Sequence, residues 1–282
     1  MKKLLLTVLI AMACVAQVNA QQFVTTEVTQ RNVVIEEFTG RNCGYCPDGH
    51  RIANGLMAAN PGRLWAVNIH AGGYAPSSYP NFLTPDGTTI HNYFNISGYP
   101  CGAVNRSSTT PLDRGQWTGA ANNILNQDSY VNLGGQVILN PVTRTALITV
   151  EAYYTGDSPA DENRLTVMML QDSIYGSQSG GSSNPEQWTG TEYIHMHILR
   201  DVVNSESAWG ETISPTTAGT LITKSYMYEI PEVIGNPNGV DVIIEHLHFL
   251  AFINESNIYM QTACQLETVI AYDNVFPVMQ GF

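Results

Sequence analysis

"EEFTGRNCGYCPDGH", residues 36–50, carries two of the five cysteines of this 282-residue chain, Cys43 and Cys46, with two residues between them. A CxxC of this kind is a redox pair, half of a metal site or a structural staple, and its flanks decide which. Ahead of it "NVVIEEF" (32–38) reads as a buried strand bounded by Thr39-Gly40. Behind it "PDGHRIANGLMAAN" (47–60) reads as a helix that opens with Pro47, where proline is tolerated, and ends before Asn60-Pro61. A thiol between a buried strand and a helix start meets unpaired amides and the positive end of the macrodipole, both of which favour its anion. A thiol of pKa 8.5 is roughly 3% ionised at pH 7, and one lowered to about 6.5 is roughly three-quarters ionised. A more acidic thiolate is also a weaker nucleophile, so the gain is partial. The placement makes Cys43 the attacking thiol and Cys46, one helical turn on, the resolving one.

The compartment follows from the first twenty residues. Lys2 and Lys3 precede the apolar run "LLLTVLIAMACVA", and small residues end at Ala20, the pattern of a signal peptide over residues 1–20. Cys14 in "AMAC" offers the alternative of a lipidated cysteine, but Ala11 stands where such boxes usually carry Leu. No other segment reaches the roughly twenty apolar residues of a transmembrane helix, leaving peripheral or lipid-anchored attachment. Removing both lysines leaves 10 basic against 24 acidic residues, a net charge of −14 compared with −12 for the full chain. Lys224 is then the only lysine. With no basic patch, nucleic acid is excluded as a partner. Export exposes the chain to oxidising conditions in which disulfides persist. Four cysteines remain, Cys43, Cys46, Cys101 and Cys264, too few for a disulfide scaffold and open to three pairings.

Two patterns divide the mature chain. Up to residue 128, "RLWAVNIH" (63–70) and "CGAVNR" (101–106) read as strands, and "TPDGTTIHNYFN" (84–95) and "LDRGQWTGAANNILNQ" (112–127) as helices, an alternation that implies an α/β layer. From residue 129 to 282 helical periodicity is gone. "TALITVEAYY" (145–154) alternates, with Ala146, Ile148, Val150, Ala152 and Tyr154 on one face and Thr149 and Glu151 on the other. "RLTVMML", "EYIHMHIL", "LITKSYMYEI", "DVIIEHLHFLAFI" and "NIYMQTACQL" are further strands, which together suggest an antiparallel β-sandwich. The loop "YGSQSGGSSNPEQW" (175–188) is the most flexible-looking stretch.

The strand "VVIEEF", the pair "CGYC", the helix after it and a later Pro before a short strand resemble the thioredoxin superfamily. The resemblance implies that Glu37, six residues before Cys43, is the buried proton acceptor for the second cysteine. Adjacent Glu36 then points to the opposite face, because strand side chains alternate. "SGYPCGAVNR" looks like the family's cis-proline loop, which implies that Pro100 packs against the disulfide. Asn42 and Tyr45 depart from the residues usual in thioredoxin, so no redox potential carries over. Cys101, next to Pro100, is either a third redox thiol or a small buried residue, and His70, with Tyr74 and Tyr79, is placed to line the cleft. "EEFTGRNCGYCPDGH", "GYPCGAVNR" and "YIHMHILRD…WGE" together resemble a narrower group, the 28-kDa outer-membrane protein family of Bacteroidetes-type bacteria. That likeness implies a thioredoxin-like domain over 21–128 joined to a β-sandwich over 129–282, α+β overall. It also implies a place in the periplasm, outer membrane or cell surface of a Gram-negative bacterium, and an adhesin-like role has been suggested for the family.

Competing readings of the same residues are weaker. Cys43, Cys46, His50 and Cys101 have plausible zinc spacing, yet there is no second CxxC and an oxidising compartment disfavours thiolate ligation. His195/His197 and His246/His248 would each put two imidazoles on one strand face, but no carboxylate spacing accompanies them, and ordinary sheet histidines are the better reading. Cys264, on a face with Ile258, Met260 and Leu266, reads as an inert core cysteine. The terminal "VFPVMQGF" ends in Phe as outer-membrane barrels do, but the α/β first half excludes a whole-chain barrel. No cofactor and no metal are expected. Two functions remain: thiol–disulfide exchange on protein thiols and disulfides, or a surface binding protein in which the CxxC is a structural disulfide. A cleft-exposed Cys43 sulfur favours the first, a buried one the second.

Overall fold

A computed structural model describes residues 23–272. The expected signal peptide with Cys14, and the terminal "VFPVMQGF", lie outside the described residues. The first half runs β1 (Val33–Thr39), α1 (Cys46–Ala59), β2 (Leu64–His70), α2 (Pro85–Tyr93), β3 (Cys101–Val104), β4 (Leu112–Asp113) and α3 (Trp117–Leu125). The expected helix over 112–127 is therefore shorter, its first residues forming β4 and a 3-10 turn capped by Asp113. Then follow β5 (Val131–Asn140), β6 (Thr145–Tyr154), β7 (Asn163–Gln171), β8 (Ile174–Gly176), β9 (Tyr193–His195) and β10 (Ile198–Val202). The chain continues with β11 (Glu211–Ile213), β12 (Leu221–Glu229), β13 (Val233–Ile234), β14 (Val240–Asp241), β15 (Leu247–Asn254), β16 (Met260–Gln265) and β17 (Glu267–Ile270).

A nine-stranded mixed sheet in the order β16-β15-β7-β10-β2-β1-β3-β4, with β11 also paired to β7, forms the centre. β1 and β2 are parallel, while β3 and β4 run antiparallel to their neighbours. A four-stranded sheet, β12-β6-β5-β17, faces its outer half. Strands from both sides of residue 128 share the central sheet, because β10 adds parallel to the free edge of β2. Among the described residues, strands after 128 thus share a sheet with the first half. The α+β composition agrees with the sequence, with strands far outnumbering helices.

Strand periodicity explains the layers. Val33 and Ile35 pack with Ala53 and Leu56 of α1 and with Trp117 and Ala121 of α3. Val34 and Phe38 face the other way, into a core with Ile90 of α2, Phe94 just after it and Phe252 of β15. The alternate residues of β6 named from the sequence are buried against β7 and β15. Glu151, expected outward, is buried too, its carboxylate accepting the amide of Phe23. "EYIHMHIL" is not one strand: β9 ends at His195, His197 takes φ 55°, and β10 starts at Ile198 in a different sheet. "DVIIEHLHFLAFI" breaks likewise, with a 3-10 turn at Ile244–His246 before β15.

β1 is buried along its whole length, including both glutamates. Glu36 accepts two hydrogen bonds from Arg106, Nε at 2.7 Å and Nη2 at 2.6 Å, and both side chains are fully buried. The guanidinium lies between the rings of Trp209 and Phe252, 5.1 and 4.9 Å from their centroids. Removing one member of such a pair strands the other charge in the interior. Arg106→Ala is therefore expected to cost about 3–5 kcal/mol of unfolding free energy, read as a lower urea midpoint, and an unchanged midpoint contradicts this account.

Candidate functional site around the Cys43–Cys46 disulfide

The disulfide joins the loop after β1 to the first residue of α1, with Cα atoms 5.5 Å apart. α1 begins with Tyr45 as its N-cap and Pro47 in its first turn, so Cys43 lies in the turn just ahead of the helix. Asn42, Gly44 and Tyr45 are exposed, and Arg114 stacks over the Tyr45 ring at 5.7 Å. Both cysteines point inward: Cys43 is 3% exposed and Cys46 not at all. With the disulfide closed, neither sulfur is a thiolate, and the zinc arrangement with His50 and Cys101 is not formed.

Glu37 lies on the α1 face of β1, opposite Glu36, as strand alternation requires. A Cβ on Gly49 would fall 2.6 Å from Glu37 Oε1 and 2.9 Å from Pro100 Cγ. Only glycine at this place in the first turns of α1 lets the acid and the proline approach the helix that starts at Cys46. The Tyr99–Pro100 bond is cis. Neither Glu37 oxygen has a hydrogen-bond partner, and burial pushes its pKa well above the usual carboxylate range, with Arg114 opposing and Asp48 adding. His50 Nε2 is 3.6 Å from Glu37 Oε1. Burial lowers the His50 pKa to about 3, so the imidazole is neutral and the contact is not an ion pair. His50 is held by Thr39 Oγ1 at 3.1 Å and Tyr193 Oη at 2.8 Å.

The loop that looked most flexible in the sequence covers the pair. Gln178 Nε2 donates to the carbonyl of Cys43 at 2.9 Å, and the Ser179 amide donates to the carbonyl of Arg41 at 2.8 Å. Gly180 has φ 68°, and a Cβ there would fall 2.1 Å from the Gly44 carbonyl oxygen. Asn184 donates to Tyr193 Oη at 3.0 Å, and Asn54 of α1 donates to Gln187 at 3.0 Å. Glycine and serine here provide close backbone approach, not mobility.

Of the auxiliary residues, Cys101 is a free, buried thiol following Pro100, and burial raises its pKa to about 12. Cys264 is free and half-buried, and burial raises its pKa to about 12 as well. Tyr74 adjoins the disulfide loop, its carbonyl accepting the Asn42 amide at 3.0 Å, while Tyr79 is mostly exposed. His70 sits inside, in ring contact with Phe82 and His195, with neither nitrogen hydrogen-bonded. The broken strands separate the histidine pairs: His195 joins this buried group, while His197 and His248 meet Asp172. Sequence reading missed Tyr193, Gln178, Gly180 and Asp172, because their partners lie over a hundred residues away or across strand junctions. It had considered His50 only as a metal ligand.

The model of the outer membrane protein Omp28 family matches residues 87–259, more than half of the chain, and begins beyond the CxxC stretch. HBP35 of Porphyromonas gingivalis superposes with a TM-score of 0.66 and 19% identity, over 89% of this chain and 81% of that one. A structural-genomics protein from Agrobacterium tumefaciens superposes with a TM-score of 0.52 and 11% identity, over 88% and 98%. These two likenesses are of fold alone. A domain of the outer membrane lipoprotein Omp28 from Porphyromonas gingivalis aligns at 14% identity over 50% of this chain and 91% of that one, with a TM-score of 0.30. No curated protein matches the chain. Among the described residues no helix is long and apolar enough to cross a membrane.

The buried titratable groups set the pH dependence of stability. Burial holds His50 and His195 at about 3, His248 at about 4 and His70 well below 6.5. The folded state therefore binds fewer protons than the unfolded one, and stability falls as pH drops below 6.5. Glu37 and Asp86, both raised by burial, act oppositely, their penalties shrinking as pH falls, but two acids do not offset five histidines, His197 being lowered by burial as well. Each uncompensated histidine contributes about 1.4 kcal/mol per pH unit. The urea midpoint is expected to be lower at pH 5 than at pH 7, and a flat or rising midpoint contradicts this assignment.

Proposed function

The chain belongs to the Omp28 outer membrane protein family, and from that premise we propose that it is an exported, thioredoxin-like protein that exchanges thiols and disulfides through Cys43 and Cys46. Family membership supports an outer-membrane or cell-surface location. The order β2-β1-β3-β4, with α1 following β1 and a cis proline entering β3, supports reading residues 21–128 as the thioredoxin-like unit. The second sheet and its loops are then the part that docks a client.

One observation carries the proposal: a fully buried carboxyl, Glu37, without a hydrogen-bond partner, held by Gly49 and Pro100 against the first turns of α1, the helix that starts at Cys46. Such a group weakens the fold, and perturbed acids of this kind cluster where protons are moved. In the reduced protein the Cys43 thiolate attacks a client disulfide, forming a mixed disulfide and releasing one client thiolate. Cys46, giving its proton to Glu37 in its carboxylate form, then attacks the Cys43 sulfur, forms the Cys43–Cys46 bond and releases the second client thiolate. The client gains two electrons and the pair loses two. In reverse, the proton that the raised pKa keeps on Glu37 goes to the departing Cys46 sulfur. Either direction requires the 177–184 segment to lift, because it lies on the loop that carries Cys43.

The 3% exposure of Cys43 favours a second reading, a surface-ligand-binding protein or adhesin in which the disulfide only braces the first unit. A dithiothreitol-driven protein-disulfide reduction assay on the mature protein separates the two. The exchange reading expects Cys43→Ser to abolish turnover and Glu37→Gln to slow it about tenfold or more with a flattened pH profile. Gly180→Ala, which pushes the cover off Gly44, should speed reduction of the disulfide. Equal rates for wild type and Cys43→Ser sink the exchange reading.

A further inference from the structure

A second constellation lies apart from the disulfide. Asp172 follows β7, His197 precedes β10 and His248 is in β15. The sheet places these strands side by side, with Gln171 of β7 opposite both Ile198 and Leu247. Asp172 Oδ1 is 3.3 Å from His197 Nδ1, and Oδ2 is 3.6 Å from His248 Nδ1. One ligand atom from each of the three lies within 4.8 Å of the other two. Bonds of about 2.0–2.1 Å to a tetrahedral ion set its ligands roughly 3.3–3.4 Å apart. The carboxylate meets each imidazole near that value, one oxygen to each, and a set of one atom from each residue spans no more than 4.8 Å, within reach of small side-chain adjustments.

The surroundings hold this geometry. His197 has φ 55°, a conformation that non-glycine residues seldom adopt and that is retained where surrounding structure enforces it. Its amide donates to Asp172 Oδ1 at 2.6 Å, and its carbonyl accepts the Asn68 amide at 2.8 Å. The Asp172 amide donates to the carbonyl of His246 at 3.0 Å, tying in the turn before β15. The three side chains border a cavity of about 330 Å³ that Met196, Glu245 and His246 also line, so a ligand set of three leaves positions facing open space. Burial lowers the pKa of both imidazoles, keeping them in the unprotonated form that metals take.

We propose that Asp172, His197 and His248 bind one divalent transition-metal ion, with its remaining coordination positions open to the cavity. Two imidazoles and one carboxylate suit zinc, nickel, cobalt or copper(II) better than calcium or magnesium, which take oxygen ligands. The open positions are of the kind that admit water or a further ligand. The site does not use the cysteines and is independent of the exchange chemistry.

The test is a titration of tag-free, disulfide-oxidised mature protein with Zn²⁺ against a chromophoric chelator. Wild type is expected to take one equivalent, and Cys101→Ser/Cys264→Ser and His91→Ala to retain it. His248→Ala and the isosteric Asp172→Asn are expected to weaken binding by roughly tenfold or more, with circular dichroism showing that both remain folded. Absence of binding at millimolar Zn²⁺, unchanged affinity in His197→Ala/His248→Ala, or equal loss in His91→Ala overturns the assignment. Should His248→Ala fail to fold, Asp172→Asn decides alone.

Discussion

Two carboxyl groups stand side by side on a strand that no water reaches, and one cation serves them. β1 is the sixth strand along the path of the nine-stranded sheet, with helices on one face and the α2–β15 core on the other, so each glutamate must be answered locally. Glu36 is answered by Arg106 through two short hydrogen bonds, and Arg106 in turn draws Trp209 and Phe252 from the second half of the chain onto the first. Glu37 receives no such answer, and burial pushes its pKa well above the usual carboxylate range. One allocation of charge thus joins the halves of the protein and leaves an unpaired acid against the helix that starts at Cys46. A buried acid can be tolerated uncharged far more cheaply than as an unpaired anion.

The first half of this arrangement was legible in the sequence. The β1–α1–β2 run, the opposed faces of Glu36 and Glu37 and the proline before β3 follow from short-range periodicity and from residue types that break or start elements. The second half was legible only as strands. Which edge they join is a matter of long-range register, and the single pairing of Ile198 with Asn68 that carries β10 onto β2 leaves no local signature. β5, with Gly134 and Gly135 in its middle, lacks the alternation of β6 and did not read as a strand.

Composition misled at the loop over the disulfide. Gly and Ser in 175–188 read as freedom, yet Gly180 is needed for contact with Gly44, and Gln178 reaches in to the Cys43 carbonyl. The histidine pairs misled in the opposite way: each looked like a unit, whereas the chain bends between members, sending His195 inward while His197 and His248 meet at Asp172. Asp172 stands 25 residues before His197 and 76 before His248, a spacing that no motif search reads.

The joint between β2 and β10 also bears on the order in which the molecule can be completed. A chain that crosses a membrane amino end first delivers Leu64–His70 long before Ile198–Val202, and until the later segment arrives the β2 edge carries unpaired backbone groups. An unprotected parallel edge of Trp65, Ala66, Val67 and Ile69 is the kind of surface on which another strand can dock by mistake. Closing it requires contact across more than a hundred residues, which is slow by loop-closure entropy alone. The continuity that makes the finished sheet one body therefore gives the emerging polypeptide an interval in which that edge stands open.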